Sequence, residues 1–306
     1  MDLIKKILFL VGIVMSQSAI CDQSADPNFK PKNRVKTFTK GLAPLVAFDE
    51  GHNNYHSIKD KFGSFSKVLK SDGFKVISTH VPFSMGSLDG VDVLVVANAL
   101  NKNNINNWDL PNYSAFNRQE IIAVYQWVKK GGALLLLADH MPWPAASAEL
   151  AGIFGFGFNN GYVEVIGESK QFFNVEENSL LPHPILQLGK KNQIDEVRGF
   201  FGQGFLIPPD AKPILKFVKP SISWMPSKSW DITDSTPQID ATGWLQGASL
   251  EFGKGRVVVF GEAAMFSAQV VKEDNGEEWM MGMNAPDAKQ NEQFLLNTMH
   301  WLVKKI

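Results

Sequence analysis

Short apolar runs that end in polar residues alternate with helical patterns through much of the chain. Residues 44–48 and 133–138 each lead directly into an acid that is soon followed by a histidine, and 91–97 and 256–260 also end in polar residues. Apolar runs of this length are typical of strands buried on both faces of a parallel sheet. Strands that alternate with helices favour right-handed βαβ units. The sequence therefore predicts an α/β fold with three layers, α/β/α, and a mostly parallel, flavodoxin-like sheet.

Three segments show the apolar spacing of amphipathic helices. Residues 56–70 have this spacing and are followed by a Ser-Asp-Gly sequence that is typical of a helix end. A second helix is expected to begin after Asn117, because Glu120 three residues further on completes a capping box. Residues 290–304 form the last predicted helix.

The pattern changes in the second half of the chain. Residues 162–250 consist of short β-prone runs broken by proline and glycine, which predicts a β-rich, antiparallel insertion. Residues 42–306 as a whole are expected to form one α/β domain that contains this insertion. Residues 22–41 are polar and rich in lysine, without an apolar period, and are predicted to form an N-terminal arm.

The first 21 residues have the pattern of a secretory signal peptide. Lysines at 5–6 precede the apolar run 7–15, and small and polar residues follow. This run is about half of the roughly 20 residues that a membrane-spanning helix needs. We therefore expect export, to the periplasm, and no transmembrane helix in the mature chain.

The single cysteine, Cys21, lies at the end of this signal. A lipoprotein signal would place a small residue before the modified cysteine, whereas this chain has Ile20, so lipid anchoring is the less favoured alternative to ordinary cleavage. In either case the mature protein has neither a disulfide nor a thiol nucleophile.

Charge and glycine spacing exclude two classes of ligand. The chain has 30 basic and 31 acidic residues and a net charge of −1, so it lacks the basic surface that nucleic acid binding requires. The glycine pairs at 155–157 and 202–204 lack the strand, spacing and helix of a dinucleotide fingerprint, which argues against NAD.

The predicted functional site lies where the parallel strands end. Ligands of open α/β sheets bind beyond the carboxyl ends of the strands, so polar residues there are brought together. Asp139 and His140 are expected to act as acid and base or as ligands. The expected catalytic residues are Asp49, Asp139, His140 and Glu262. The expected substrate-binding residues are Asn53, Asn98, Trp108 and Trp143.

A divalent metal such as zinc is one option for this site. His52 and His56 are four residues apart, which on a helix would place both imidazoles on one face. Asp49 or Asp139 would then supply a third ligand, leaving a position open for an activated water. A metal-free site that uses Asp139 and His140 as acid and base is the second option.

A purely structural interpretation is the third option. Asp49 would stabilise the turn that follows it, and His56 would be an exposed residue in the first helical turn. Asp139 would accept backbone N–H groups where the chain turns.

The loop 101–116 follows the third strand and contains six asparagines interleaved with aromatic residues. Long loops in compact domains are often binding loops, and amides beside aromatic rings suit a neutral polyhydroxylated ligand. Trp108 lies in this loop, and Trp143 is expected at the same rim. The alternative is a solvated loop whose aromatic residues cover the core.

Several motifs carry a resemblance to a known family. They are the segments 48–54, 127–132, 138–140, 255–266 and 291–302. In this order they resemble a bacterial family of uncharacterised exported domains related to the class I glutamine amidotransferase-like fold and to the ThuA-like proteins linked to sugar utilisation. The resemblance implies the fold. Amidotransferases carry a nucleophilic cysteine after a central strand, whereas this chain has Asp139-His140 there, which excludes amidotransferase chemistry by that route.

The sequence thus favours an exported hydrolase that acts on a carbohydrate or another small polar substrate. The alternative is a non-catalytic module of the cell envelope that binds a small molecule or glycan, or that serves in assembly.

Overall fold

The computed structural model describes residues 22–33, 35–39, 41–188 and 192–306. The predicted signal peptide and Cys21 lie outside these residues. Within the described residues the α-helices are Gly63–Asp72 (α1), Arg118–Lys130 (α2), Trp143–Gly152 (α3) and Asn291–Leu302 (α4). The strands of the first half are Asp22–Ala25 (β1), Leu45–Asp49 (β2), Lys75–Thr79 (β3), Val93–Ala97 (β4) and Ala133–Leu137 (β5).

The remaining strands belong mostly to the insertion. They are Gly157–Phe158 (β6), Tyr162–Val165 (β7), Gln171–Asn174 (β8), Gln187–Leu188 (β9), Asn192–Gln193 (β10), Glu196–Gly199 (β11), Phe205–Leu206 (β12), Lys212–Lys216 (β13), Ser221–Trp224 (β14) and Gln238–Asp240 (β15). The chain then forms Leu245–Phe252 (β16), Gly255–Phe260 (β17), Ala268–Lys272 (β18) and Glu278–Gly282 (β19).

The main sheet has the strand order β3-β2-β4-β5-β17-β16-β12-β6, and β13 also pairs with β16. In this sheet, strands β3, β2, β4, β5 and β17 run parallel to one another. Strand β16 pairs with β17 in the opposite direction, and the two form an antiparallel hairpin. The carboxyl ends of the central strands β2, β4, β5 and β17 therefore lie at one edge of the sheet.

Helices cover both faces of this sheet. Strand β5 is buried throughout, and its alternate residues enter two different cores. Leu135 and Leu137 pack with Phe65 of α1 and Phe294 of α4. Their neighbours Leu134 and Leu136 pack in a second core with side chains of α2 and α3. The predicted three-layer α/β/α fold with a mostly parallel sheet is confirmed.

Helix α2 has the predicted capping box. Asn117 Oδ1 accepts the Glu120 N–H at 3.0 Å, and Glu120 Oε2 accepts the Asn117 N–H at 3.0 Å. Both ends of the box are satisfied, so this helix start is set by its own sequence.

Helix α1 begins later than the sequence predicts. Residues 56–62 form turns, and the helix starts at Gly63. Backbone donors before the helix meet tertiary acceptors: Tyr55 N–H donates to the Asn98 carbonyl at 2.9 Å, and Ile58 N–H donates to Glu50 Oε1 at 2.8 Å. The prediction that His52 and His56 share one helical face is therefore wrong.

The insertion adds antiparallel pairs around the main sheet, as predicted. Strand β14 lies between β7 and β15, and β11 pairs with β8. Strands β12 and β13 join the main sheet through β16.

The N-terminal segment lies against the domain. Strand β1 pairs with β18 from Asp22↔Lys272 to Ala25↔Gln269, and Phe29 is buried. Further along, Thr37 Oγ1 donates to Asp72 Oδ1 at 2.7 Å. The segment predicted as a polar arm is thus packed on the domain over much of its described length. In the part of the chain described here, no helix combines the length and apolarity needed to cross a membrane.

Candidate functional site

Asn98, Asp139, His140 and Glu262 form one group at the carboxyl ends of β4, β5 and β17, here called the strand-end site. Asn98 Oδ1 accepts the Asp139 N–H at 3.0 Å, and Asp139 Oδ1 accepts the His140 N–H at 3.0 Å. Asn98 has a left-handed φ of 47°, a conformation that asparagine tolerates better than most residues. Asp139 and His140 are each only 8% exposed. Of the four ionisable groups expected to meet at these strand ends, the structure brings Asp139 and His140 together with Asn98 and Glu262, while Asp49 and His52 lie in a separate cluster.

One nitrogen of the His140 ring is left without a partner. Its Nδ1 lies 2.8 Å from the Met141 carbonyl oxygen, which can only accept, so Nδ1 carries the proton. Nε2 then has the lone pair, and among the described residues the His140 ring is hydrogen-bonded through Nδ1 alone. Burial lowers the pKa of His140, although Asp139 and the Met141 carbonyl oppose this effect. The ring is therefore neutral at neutral pH and can accept a proton at Nε2.

Asp139 and Glu262 are neighbouring buried carboxyl groups. Burial raises the pKa of Asp139, while the His140 ring and nearby N–H groups of His140 and Ala263 oppose the rise. Burial also raises the pKa of Glu262 well above its usual range, and the charge of Asp139 adds to this. Like charges disfavour each other in a buried site, so the pair holds a proton more firmly than exposed carboxyl groups do.

Glu262 is fully buried and serves the local backbone. Its Oε2 and Oε1 atoms accept the Met265 N–H at 2.9 and 3.1 Å. This fixes the short 3₁₀ turn Ala264–Phe266 that follows β17. Glu262 thus supports the local backbone and interacts with Asp139 through its charge.

Aromatic rings surround His140. Their ring centroids lie 4.6 Å from His140 for Tyr162, 4.4 Å for Trp230 and 4.9 Å for Trp143. Trp143 in turn contacts Trp108 at 5.0 Å and Tyr55 at 5.2 Å. We call these five residues, Tyr55, Trp108, Trp143, Tyr162 and Trp230, the aromatic cluster. Trp108 and Trp143 were predicted at this rim, and the structure places both there.

Two buried donors near the strand-end site have no partner. Asn98 Nδ2 and Trp143 Nε1 make no hydrogen bond among the described residues, although both side chains are buried. The Asn98 amide lies close enough to Asp139 to influence its pKa, but its nitrogen meets no acceptor in hydrogen-bonding geometry. Buried donors without acceptors are rare in folded proteins, and each one needs a physical reason. A ligand or a water with acceptor oxygens would satisfy both.

Asp49 and His52 belong to a different cluster. His52 Nδ1 lies 2.9 Å from Asp49 Oδ1, and His52 Nε2 lies 2.8 Å from Glu120 Oε1. We call Asp49, His52 and Glu120 the charged triad. Asp49 also accepts hydrogen bonds from the Gly51 N–H and the Asn54 amide. Its carboxylate is engaged by the turn that follows β2, which favours the structural interpretation of Asp49.

The histidines predicted as metal ligands are not arranged for that role. Both ring nitrogens of His52 face carboxylates, and no ring nitrogen is left to bind a metal. His56 packs on Phe62 at 4.4 Å, and burial lowers its pKa to about 3. Across the described ranges, no group of three or more His, Cys, Asp or Glu side chains is placed to hold a metal ion. The residues present therefore do not fit a zinc site at His52 and His56.

Asn53 supports the loop rather than the strand-end site. Its Nδ2 donates to the Leu100 carbonyl at 3.2 Å, and its φ is 48°. It joins the turn after β2 to the chain after β4.

Sequence reasoning missed Tyr162, Trp230 and the second role of Glu120. Tyr162 and Trp230 lie in the insertion, outside the segment that carries Asp139 and His140. No spacing in the sequence indicates that their rings meet His140. Glu120 was recognised as a capping residue, but nothing near it in sequence indicates His52 as its partner. A buried acid needs a partner, and this need is the one signal that could have suggested the pairing of Glu120 with His52.

Comparisons with known proteins agree on the fold. No protein-family model matches the chain, and no curated protein matches it in sequence. The structure is similar to one described as the mmIFT52 N-terminal domain, with a TM-score of 0.57 and 16% identity over 84% of this chain and 96% of that one. It is also similar to a ThuA-like protein from Bacteroides uniformis, with a TM-score of 0.47 and 13% identity over 88% of this chain and 96% of that one.

A weaker similarity covers part of a glycosidase chain. A β-galactosidase from Bacillus circulans matches 86% of this chain but only 31% of its own length, with a TM-score of 0.43 and 10% identity. At these identities the similarities concern the fold alone. The chain has a mixed α/β fold, and the similarity to the mmIFT52 N-terminal domain supports it.

Proposed function

We propose that the protein is a hydrolase of a carbohydrate or another small polar hydroxylated substrate, with the strand-end site as its active centre. One observation carries the proposal. His140 presents an unpartnered Nε2 beside Asp139, and the unpartnered donors Asn98 Nδ2 and Trp143 Nε1 lie in the same region. An acid, a base and free donors at the carboxyl ends of central parallel strands are the elements that a hydrolytic site needs.

The two side chains have complementary proton roles. His140, neutral because burial lowers its pKa, accepts a proton from water at Nε2. The resulting hydroxide oxygen forms a bond to the electrophilic carbon of the substrate. The buried pair Asp139 and Glu262 shares a proton, because burial raises the pKa of both carboxyl groups, and Asp139 delivers this proton to the leaving oxygen as that bond breaks. The proton gained by His140 returns to Asp139 through solvent.

The surroundings of the pair favour a neutral, hydroxylated substrate. The aromatic cluster supplies flat apolar surfaces, and Asn98 and Trp143 supply donors for hydroxyl or ring oxygens. Aromatic rings with a few placed polar groups are typical of sites that bind small molecules.

Hydrolysis of p-nitrophenyl glycosides and p-nitrophenyl acetate tests the proposal. We expect wild-type turnover of at least one of these probes and a loss of about 100-fold or more in Asp139→Asn and in His140→Gln. His80→Gln is the matched control, because the His80 side chain is 61% exposed. Among the described residues its ring nitrogens face the carboxylate and the backbone carbonyl of Glu50. Thermal unfolding of each variant shows whether it is folded. Equal turnover in wild type and both site variants would contradict the proposal.

A non-catalytic ligand-binding module is the second candidate. It is favoured by the low exposure of Asp139 and His140, because rings of the aromatic cluster occupy much of the space around them. In that case wild type hydrolyses no probe, and saccharide binding is unchanged in Asp139→Asn.

The proposed setting is outside the cytoplasm, on the signal-peptide pattern of residues 1–21. Fractionation of the native host, with detection of the full chain, tests this. Recovery in the cytoplasm with residues 1–21 retained would contradict it.

A further inference from the structure

Trp230 occupies an unusual position above the strand-end site. Its ring centroid lies 4.4 Å from that of His140, at an interplanar angle of 70°, and 4.8 Å from that of Tyr162. The residue is nevertheless 47% exposed. One part of the indole therefore covers His140, while another part remains open to solvent.

The backbone of Trp230 is strained. Its φ is 65°, in the left-handed region, which bulky residues rarely adopt. Such strain persists only where the surrounding structure holds the residue in place. Here the Trp230 N–H donates to the Tyr162 hydroxyl at 3.3 Å, and this hydroxyl lies 2.9 Å from Ser229 Oγ.

The segment that carries Trp230 is also joined to the asparagine-rich loop. Ser229 N–H donates to Asp109 Oδ1 at 2.9 Å, and Leu110 N–H donates to the Ser227 carbonyl at 2.9 Å. These bonds connect the loop after β14 with the loop after β4. Two long loops are thus fixed to each other in a way that holds one indole over His140.

A second exposed aromatic residue has the same kind of backbone. Phe201 is 52% exposed and has a φ of 73°. It precedes Gly202, whose carbonyl accepts the Val163 N–H at 2.8 Å, while Trp230 contacts Tyr162 of the same strand β7. Exposure of an aromatic ring and a left-handed backbone are both unfavourable in the free protein. Packing of the hydrophobic core therefore does not explain the positions of Phe201 and Trp230. Strain of this kind concentrates at functional sites.

We infer that Trp230 is the stacking platform that selects a saccharide ring beside His140. This inference rests on the proposed function. The exposed face of the indole would pack against the C–H face of a pyranose, while Asn98 Nδ2 and Trp143 Nε1 donate to its oxygens. The bond to be broken then lies within reach of His140 Nε2. Trp230 is a specificity-determining residue in this arrangement, and Asp139 and His140 remain the acid and base.

Calorimetric titration with maltose, cellobiose and lactose tests the platform. For the disaccharide that wild type binds best, Trp230→Leu is expected to weaken binding about tenfold or more, because leucine keeps apolar cover on His140 but lacks a flat ring. Trp230→Phe keeps a ring and is expected to stay within about threefold. Trp279→Ala is the matched control, because Trp279 is similarly exposed but lies on β19, in a separate sheet.

Each outcome decides a different point. Unchanged affinity in Trp230→Leu overturns the platform, and if Asp139→Asn still abolishes turnover, the proposed function stands. An equal loss in Trp230→Leu and Trp230→Phe, with both variants folded, also overturns it, because stacking would not then be the cause. Absence of binding by wild type to all three disaccharides overturns the platform for saccharides. If wild type also hydrolyses no probe, the proposed function fails with it.

Discussion

The Nε2 atom of His52 lies 2.8 Å from Glu120 Oε1, while its Nδ1 atom lies 2.9 Å from Asp49 Oδ1. A single imidazole thus connects the end of strand β2 to the first turn of helix α2. Phe83 and Phe116 pack against the same ring at 4.6 and 4.7 Å, so the charges are shielded from solvent. This triad holds the loops on one side of the strand-end site in place.

Removing His52 should destabilise the protein strongly. His52→Gln leaves two buried carboxylates without their shared cation, and breaking a buried ion pair in this way costs about 3 kcal/mol or more. Urea unfolding measures the loss. His80→Gln removes a histidine that faces Glu50 at 3.7 Å in an exposed position, and this change should cost less than about 1 kcal/mol. Similar costs for the two variants would show that the triad contributes little.

The contribution of the triad should depend on pH with a defined sign. Burial alone would lower the pKa of His52, but Asp49 and Glu120 together raise it above 6.5, so its contribution is full below 6.5 and declines at higher pH. Burial alone would raise the pKa of Glu120, but Asn117 and His52 lower it below 4.5, so its contribution is full above 4.5 and declines in acid. The difference in unfolding free energy between wild type and His52→Gln should therefore be largest between pH 4.5 and 6.5. A difference that grows steadily above pH 6.5 would contradict this assignment.

Replacing His56 should reduce the sensitivity of the fold to acid. Burial lowers the pKa of His56 to about 3 from 6.5, so in that interval the unfolded chain binds a proton that the native protein does not. Wild type therefore loses stability as pH falls from 6.5 towards 3, and His56→Phe removes this loss. Phenylalanine suits the site because the ring already packs on Phe62. Urea midpoints at pH 4.5 and 7.5 give the comparison, and an equal acid loss in both proteins would refute it.

Two glycine variants separate steric conflict from backbone strain. Gly202 and Gly243 both have positive φ values, 116° and 87°, so alanine is strained at either site. At Gly202 a Cβ would also lie 2.2 Å from the Gly261 carbonyl and 3.1 Å from the Glu262 Cβ, whereas at Gly243 it meets nothing within 4 Å. Gly243→Ala should cost about 1 kcal/mol, and Gly202→Ala should cost clearly more. Because Gly202 lies against the residues beneath Asp139, only Gly202→Ala should also lower turnover of the probe that wild type hydrolyses.

Local patterns in the sequence were enough to predict the core strands and the polar residues that meet at their ends. The apolar residues of β4 and β5 and the polar residues directly after them indicated where Asn98, Asp139 and His140 would meet. The capping box at Asn117 also formed as predicted, because its two residues interact within one helical turn. Such features depend on neighbours in the chain.

The features that could not be predicted depend on distant partners. His52 and Glu120 are separated by 68 residues, and their pairing removes His52 from the predicted metal site. Helix α1 starts at Gly63, and the segment before it is fixed by distant partners: the Tyr55 N–H donates to the Asn98 carbonyl and the Ile58 N–H to Glu50. Trp230 reaches His140 from the insertion, and no spacing in the sequence indicates this contact.

The strand-end site and the aromatic rings that cover His140 come from separable parts of the chain. Asp139 and His140 follow a core strand, whereas Tyr162 and Trp230 belong to the insertion, which joins the main sheet through the outer strands β12, β13 and β16. Segments between β6 and β16 can therefore change in length and sequence without altering the order of the parallel strands. If the proposed function holds, exchange of this region between proteins of the same fold would transfer ligand preference while leaving Asp139 and His140 in place, so selectivity and chemistry could evolve separately.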